Sequence, residues 1–187
     1  MIAVEFAIAL PVLVIFFLGA IEVTQAVWTR ASVFEAASVS ADLSTQFASI
    51  DEAAALTVLQ AAERVTEPVG GAGQGLQLRI TSLLACDCGN GSGDACFTVL
   101  WSHGYAGGAL TPGYAQGQQL NTIPQALGQP FGGTLVFAEA SLNYTSPFGF
   151  IIGETFTMSS DASFRPRNAR EVVHTGQFAT NSANICP

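Results

Sequence analysis

The stretch Met1-Ile-Ala-Val-Glu5-Phe6-Ala-Ile-Ala-Leu10-Pro11, continued by Val12-Leu-Val-Ile-Phe-Phe-Leu-Gly19-Ala20-Ile21, decides the fold. From Phe6 to Ile21 it holds 16 residues with no charge and no hydrogen-bonding side chain. As a helix rising about 1.5 Å per residue, this run spans about 24 Å, and about 31 Å with Met1–Val4 included, enough to cross a bilayer. Glu5 is the exception. An unpaired carboxylate near the middle of such a helix costs roughly 2.5–3.5 kcal/mol on insertion scales, and less near an end. A cationic partner is therefore expected. The nearest is an α-amino group, either that of Met1 one turn away or that of a neighbouring copy offset by about one turn. One alternative is a carboxylate that snorkels from the helix end to the interface. Another is a secretory signal, which fits poorly: nothing basic precedes Arg30, and the apolar run exceeds the about 7–15 residues of an h-region.

Working outward, Pro11 removes one backbone hydrogen bond, a break that lipid tolerates only where packing compensates it. Gly19 and Ala20 offer a smooth patch for close approach of another helix. Glu22 marks the far membrane interface, and Trp28 with Arg30 supplies an aromatic and a charged anchor beyond it. Val27, Phe34, Ala37, Ala41 and Leu43 then recur near period 3.6, so the helix is expected to leave the membrane unbroken and cover a globular domain. This divides the chain into a transmembrane helix at 1–28 and an extracytoplasmic head at 29–187. Within the head, 29–67 reads as helical, 74–165 as β-rich and 166–187 as a C-terminal tail.

Ser49-Ile-Asp-Glu52 reads as a capping box opening a second helix with apolar Leu56, Leu59, Ala62 and Val65, ended by Pro68 and Gly70-Gly71. Leu76, Leu78, Ile80 and Leu84 alternate as a strand, and Phe97–Trp101 reads as a second, joined by the Gly-rich segment 87–95. Gly104–Leu120 has no periodicity and reads as a loop. Thr134–Tyr144 and Thr155–Phe164 form a further strand pair. The fold class is α+β, a small antiparallel β-sheet packed on the amphipathic half of the long helix.

Six Arg, no Lys and 14 acidic residues give a net charge of −8. Such a surface repels phosphate backbones, so no nucleic-acid partner is expected. The low charged fraction, with abundant Gly and Ser, fits a head outside the cytoplasm. Cys86, Cys88, Cys96 and Cys186 are even in number and point to two disulfides in an oxidising compartment. Cys86 and Cys88, two apart on one strand face, are poorly placed to bond each other. Two pairings remain: Cys88–Cys96 with Cys86–Cys186, which closes the tighter hairpin, or Cys86–Cys96 with Cys88–Cys186. A four-thiolate zinc site competes, but the spacing lacks paired C-x₂-C. No metal or other cofactor is expected.

Catalytic chemistry is sparse. His103 and His174, the only histidines, lie in polar or Gly-flanked stretches that read as solvated, and no G-x-S-x-G, H-E-x-x-H or P-loop occurs. Asp87, Asp94 and the glycines between them lack the alternating ligands of a calcium loop. Arg165-Pro-Arg167-Asn-Ala-Arg170 is the one basic cluster, read as a tail pairing with the domain's own acids in preference to a docking patch.

The N-terminal Met1-Ile-Ala-Val-Glu5-Phe6-Ala-Ile-Ala-Leu10-Pro11 with Gly19-x-x-Glu22 resembles the signature of TadE-like proteins, pilin-related subunits of the tight-adherence (Tad, type IVc) pilus system. Val136-Phe-Ala-Glu139-Ala and Phe164-Arg-Pro-Arg167 are similar to the closing strands of that group. The resemblance implies a pilin-like, non-enzymatic subunit that partners other pilin and pilin-like subunits and an inner-membrane assembly platform. It also implies a leader removed by a prepilin peptidase, with Glu5 at the fifth mature position if Met1 is the first mature residue. In that class the carboxylate meets a neighbour's terminal amine during assembly. The major Tad pilin is very short, so a chain of 187 residues is expected to be a minor pilin or pseudopilin. The location implied is the bacterial inner membrane with a periplasmic head, the extracellular pilus, or both. A membrane-anchored periplasmic binding module that never enters a filament is the alternative.

Overall fold

A single helix, α1 (Ile2–Thr45), runs through Pro11 without interruption. Its 44 residues extend about 66 Å, roughly twice the thickness of a bilayer's hydrocarbon core, so a bilayer could cover at most about half of it. The apolar half stands clear of the other described residues. Its 18-residue window of mean hydropathy 2.5 is only 11 % buried, unlike the core helix of a soluble domain. The computed structural model describes residues 2–87, 95–120, 132–146, 148–149, 153, 155–176 and 185–186.

The second half of α1 is buried along Val33, Ala36, Ala37, Ser40, Ala41 and Ser44. The Ser40 and Ser44 hydroxyls donate to the carbonyls of Ala37 and Ser40, at 2.9 and 2.7 Å, so their burial leaves no unmet donor. This face differs from the one expected. Ala37 and Ala41 are inside, but Val27 and Phe34 are 64 % and 56 % exposed. Small side chains win the inner position because they let the sheet approach the helix axis, and the bulky ones are turned outward.

Helix α2 (Glu52–Thr66) follows, with Ala55, Val58, Leu59 and Ala62 buried. Its N-cap is Asp51, whose carboxylate accepts from the Ala54 amide at 2.7 Å. The expected capping box is thus displaced by two residues. An Asp directly ahead of the first helical residue caps as well as a Ser. Ser49 and Ile50 instead form a short strand, β1 (Ser49–Ile50), parallel to the last strand among the described residues, β8 (Val173–His174).

The sheet contains β2 (Gln77–Asp87), β3 (Ala95–Ala106), β4 (Ala109–Pro112), β5 (Gln119–Leu120), β6 (Thr134–Tyr144) and β7 (Phe156–Phe164). Its order is β4-β3-β2-β6-β7, with β5 also on β3, and every pairing is antiparallel. Leu78 and Ile80 of β2, Trp101 and Tyr105 of β3, and Ala138 and Leu142 of β6 form the face packed on α1 and α2. A bulge where Ser82 and Leu83 pair with β3 brings Leu100 and Trp101 into that same core. On the outer face Leu83, Phe97, Val99, Leu135 and Phe137 are covered by Leu120 and Tyr114.

The expected loop at Gly104–Leu120 is corrected: it holds the end of β3, all of β4 and β5. Gly107 and Gly108, at φ 59° and 84°, make the two-residue turn between β3 and β4. A hairpin turn with both central residues at positive φ suits glycine almost alone.

Cys86 is bonded to Cys186 with a Cα–Cα distance of 5.5 Å, and Cys96 is also disulfide-bonded. Cys86–Cys186 belongs to the first of the two pairings open from the sequence; Cys88 lies outside the described residues. Half-cystines at 86, 96 and 186 leave no room for a four-thiolate zinc site.

Candidate functional site

The residues singled out for assembly all lie on or beside α1. Met1 lies outside the described residues, and Glu5 is placed by its backbone within the first turns of the helix. Pro11 is on the exposed surface. Gly19 is buried and Ala20 exposed, so of the expected smooth patch only Ala20 still faces outward.

Glu22 is fully buried, where the sequence placed it at an interface. The loop after β6 reaches down onto it. The Ser146 hydroxyl donates to its carboxylate, and the Tyr144 hydroxyl donates to its backbone carbonyl at 3.5 Å. Gly149 N–H donates to Ser146 Oγ at 3.2 Å, which orients that hydroxyl. Burial raises the Tyr144 phenol above its usual range, and the nearby Glu22 carboxylate adds to this. A carboxylate this deep is retained only if hydrogen-bonded. Glu22 therefore joins the head to α1 and fixes the angle between them.

A flank of α1 about a third of a turn from Glu22 is apolar and exposed along the helix: Phe16, Val23, Val27 and Phe34 are each 48–72 % exposed, and Trp28 is exposed on a neighbouring face. Beside it, a cavity of about 400 Å³ opens between α1 and the edge strand β7, lined by Ala26, Val27, Arg30, Phe156, Thr157, Met158 and Ser159. Arg30 has no ion-pair partner among the described residues. Isolated exposed apolar residues are ordinary, but a continuous stripe of large ones marks a contact surface.

The basic cluster behaves as a tail pairing inward. Arg167 pairs with Asp42 of α1, its amide donates to Thr45 O at 3.1 Å, and Asn168 donates to Gln46 O at 2.7 Å. The strap 165–174 is thus held on the helix end, and β8 closes it.

The two histidines are the main surprise. His103 and His174 are 6 % and 2 % exposed, and their Nε2 atoms lie 2.8 Å apart. Trp101 stands against both rings, with centroids 6.0 and 5.8 Å away, and donates Nε1–H to Val172 O at 2.7 Å. The sequence carried a signal for this. Trp101, His103 and Tyr105 are two apart and continue the inner-face alternation past the point where the strand was ended. Nothing local points to His174, 71 residues away.

Desolvation lowers both histidine pKa values below the ordinary 6.5. The partner ring lowers His103 further, while Glu52 opposes the shift at both and Asp51 at His174. The folded head therefore binds fewer protons than the unfolded chain just below that pH. The stabilisation is complete above about pH 6.5 and is lost as pH falls through the folded values. His103 and His174 are the two histidines of the chain, and both contribute in this window. The urea midpoint is expected to drop between pH 7.5 and 5.5, with both ring resonances titrating below 6.5; a flat midpoint contradicts the burial.

No curated protein and no solved structure matches the chain. Residues 1–42, the uncovered apolar helix and its entry into the head, match the model of the TadE-like protein family.

Proposed function

We propose that this chain is a non-enzymatic, pilin-like subunit that takes part in assembly or minor composition of a Tad (type IVc) pilus. Two things support the reading: the family match over the helix, and the persistence of the helix's uncovered apolar face beyond the length a bilayer can bury. The second observation carries it. A simple tether has no use for exposed Val27, Trp28 and Phe34 on the head side of the membrane, whereas a subunit that leaves lipid for a helix bundle does. Of the proposed membrane segment 1–28, the last two turns from Glu22 onward already lie against Tyr144 and Ser146 of the head, so Val27 and Trp28 stand on the head side, and 29–187 completes the periplasmic head. The head is carried outward with the pilus after processing by a prepilin peptidase and engagement with the assembly platform.

In this reading Glu5 pairs with a neighbouring protomer's terminal amine and sets the axial offset. A desolvated charge tolerates few alternatives to that partner. Glu5→Ala should leave membrane insertion intact and abolish incorporation into sheared pili, scored by immunoblot of the sheared fraction. Incorporation at the wild-type level removes the pairing mechanism. If the wild-type chain itself stays wholly in the membrane fraction of piliated cells, the anchored binding module takes its place.

A further inference from the structure

We infer that the turn after β6 is a second membrane contact, with Phe148 entering the head-side leaflet beside α1 among the glycerol and upper acyl groups of the lipid. The inference rests on the membrane placement of α1 proposed above, but not on assembly into a pilus.

The level of the contact on the helix carries it. Residues 6–17 of α1 are all exposed, whereas Leu18 and Ile21 are half-buried and Gly19 and Glu22 are buried. The head therefore touches α1 from Leu18 onward, about 6 Å before the uncharged run gives way to Glu22. A hydrocarbon core of about 30 Å takes up about 20 helical residues, so one that includes Ile2 extends to Ile21 and meets the lower edge of the head. One that begins beyond Glu5 reaches further still. The turn lies at that edge. The Ser146 hydroxyl donates to the Glu22 carboxylate and accepts from the Gly149 amide at 3.2 Å, so Phe148, between those two residues, is held within about one helical turn of Glu22.

The chemistry of the turn changes along its length in the sense an interface requires. Its neck is polar: Thr157 donates to Asn143 Oδ1 at 2.9 Å, and the Thr145 and Thr155 hydroxyls lie 3.0 Å apart. Beyond the neck the sequence Pro147-Phe-Gly-Phe-Ile-Ile-Gly153 has no charge and no hydrogen-bonding side chain. Phe148 is the large apolar residue described there, and it is 45 % exposed. A polar neck with an apolar tip suits an element lying in a membrane surface, which buries its apolar side about 5–10 Å deep. The depth of about 6 Å set by Leu18 falls in that range.

Continuity with the span decides between lipid and a protein partner. Phe148 adjoins the part of α1 that a bilayer surrounds, so a protein docking there would first have to displace that lipid. The turn also shields Glu22 from the bilayer, because Ser146 supplies a hydrogen bond that acyl chains lack.

The test places a nitroxide on Phe148→Cys in the full chain, reconstituted in phosphatidylethanolamine/phosphatidylglycerol vesicles so dilutely that chains do not share a vesicle. Collisions with oxygen, which concentrates in lipid, are compared with those of a water-soluble nickel chelate. Val14→Cys in the apolar run and Phe164→Cys at the far end of β7 calibrate the scale, both positions being exposed. Phe164 precedes the Arg167–Asp42 pair, which lies about 30 Å along the helix from Glu22. The oxygen-to-nickel ratio at 148 should exceed that at 164 by about fivefold or more, as burial several ångströms into the interface requires. A ratio equal to that at 164 overturns the inference. So does shielding from both colliders, which means that protein covers Phe148. Phe148→Trp repeats the measurement without a label. Lipids brominated near the glycerol end should quench the emission it adds to that of Trp28 and Trp101, and quenching by aqueous iodide alone overturns the inference even where the labelled variant misfolds. If 148 reads lipid while the wild-type chain is absent from sheared pili, the contact stands and the pilus reading fails. If 148 reads water while the chain is found in pili, the contact fails and the pilus reading stands. Water contact at Val14 as well removes the membrane placement, and this inference with it.

Discussion

Removing the Cys86–Cys186 bond is expected to lower the stability of the head by about 4–5 kcal/mol, the chain-entropy value for a cross-link closing a loop of about 100 residues. The separation here is 100 residues, and the bond ties residue 186, at the end of the described chain, to the central strand β2. Cys86 is 1 % exposed and belongs to the main core, so serine would add an unmet hydroxyl. The measurement therefore compares Cys86→Ala/Cys186→Ala with the wild-type chain, by urea unfolding in detergent under non-reducing conditions. An unchanged midpoint would show that the strap 165–174 is held by its other contacts alone. A full effect would make an oxidising compartment a condition for a stable head, consistent with a head on the outer side of the membrane.

What could be read from the sequence follows the range of the interactions responsible. The apolar helix, its passage into the head, α2 and the strand pair ending in Tyr144 and Phe164 rest on local periodicity, and these were legible. The N-cap was misplaced by two residues because Ser49 and Asp51 are both good caps, and tertiary pairing of β1 with β8 chose between them. Strand β4 was hidden because a glycine-rich stretch carries turn and loop with the same letters; only the positive φ at Gly107 and Gly108 tells them apart. The helix face failed for a different reason. Period 3.6 shows that a stripe exists but does not say whether small or large residues face inward. The sheet selected Ala36, Ala37 and Ala41, which left Val27 and Phe34 exposed. Glu22 and the histidines needed contacts 124 and 71 residues distant, which no window of sequence contains.

The same long-range cluster yields the second large effect. Trp101→Ala should cost about 3–5 kcal/mol, since it leaves a cavity among fully packed neighbours that collapse only in part. The side chain is 2 % exposed and lies where β3, the histidine pair and the strap meet. Trp101→Phe separates packing from hydrogen bonding. It keeps most of the ring volume but leaves Val172 O, at 2.7 Å in the wild type, without its indole donor. A buried acceptor left unmet costs about 1–3 kcal/mol, so the Phe variant should fall between wild type and Ala in urea midpoint. Hydrogen exchange locates the damage. The amides of Val173 and Thr175, which donate to Ala48 O and Ile50 O, should lose protection first in both variants, because Trp101 holds the strand that carries them. Exchange there no faster than in β2 would mean that the strap does not depend on Trp101, and that the histidine pair is seated by the disulfide and the Arg167 contacts instead.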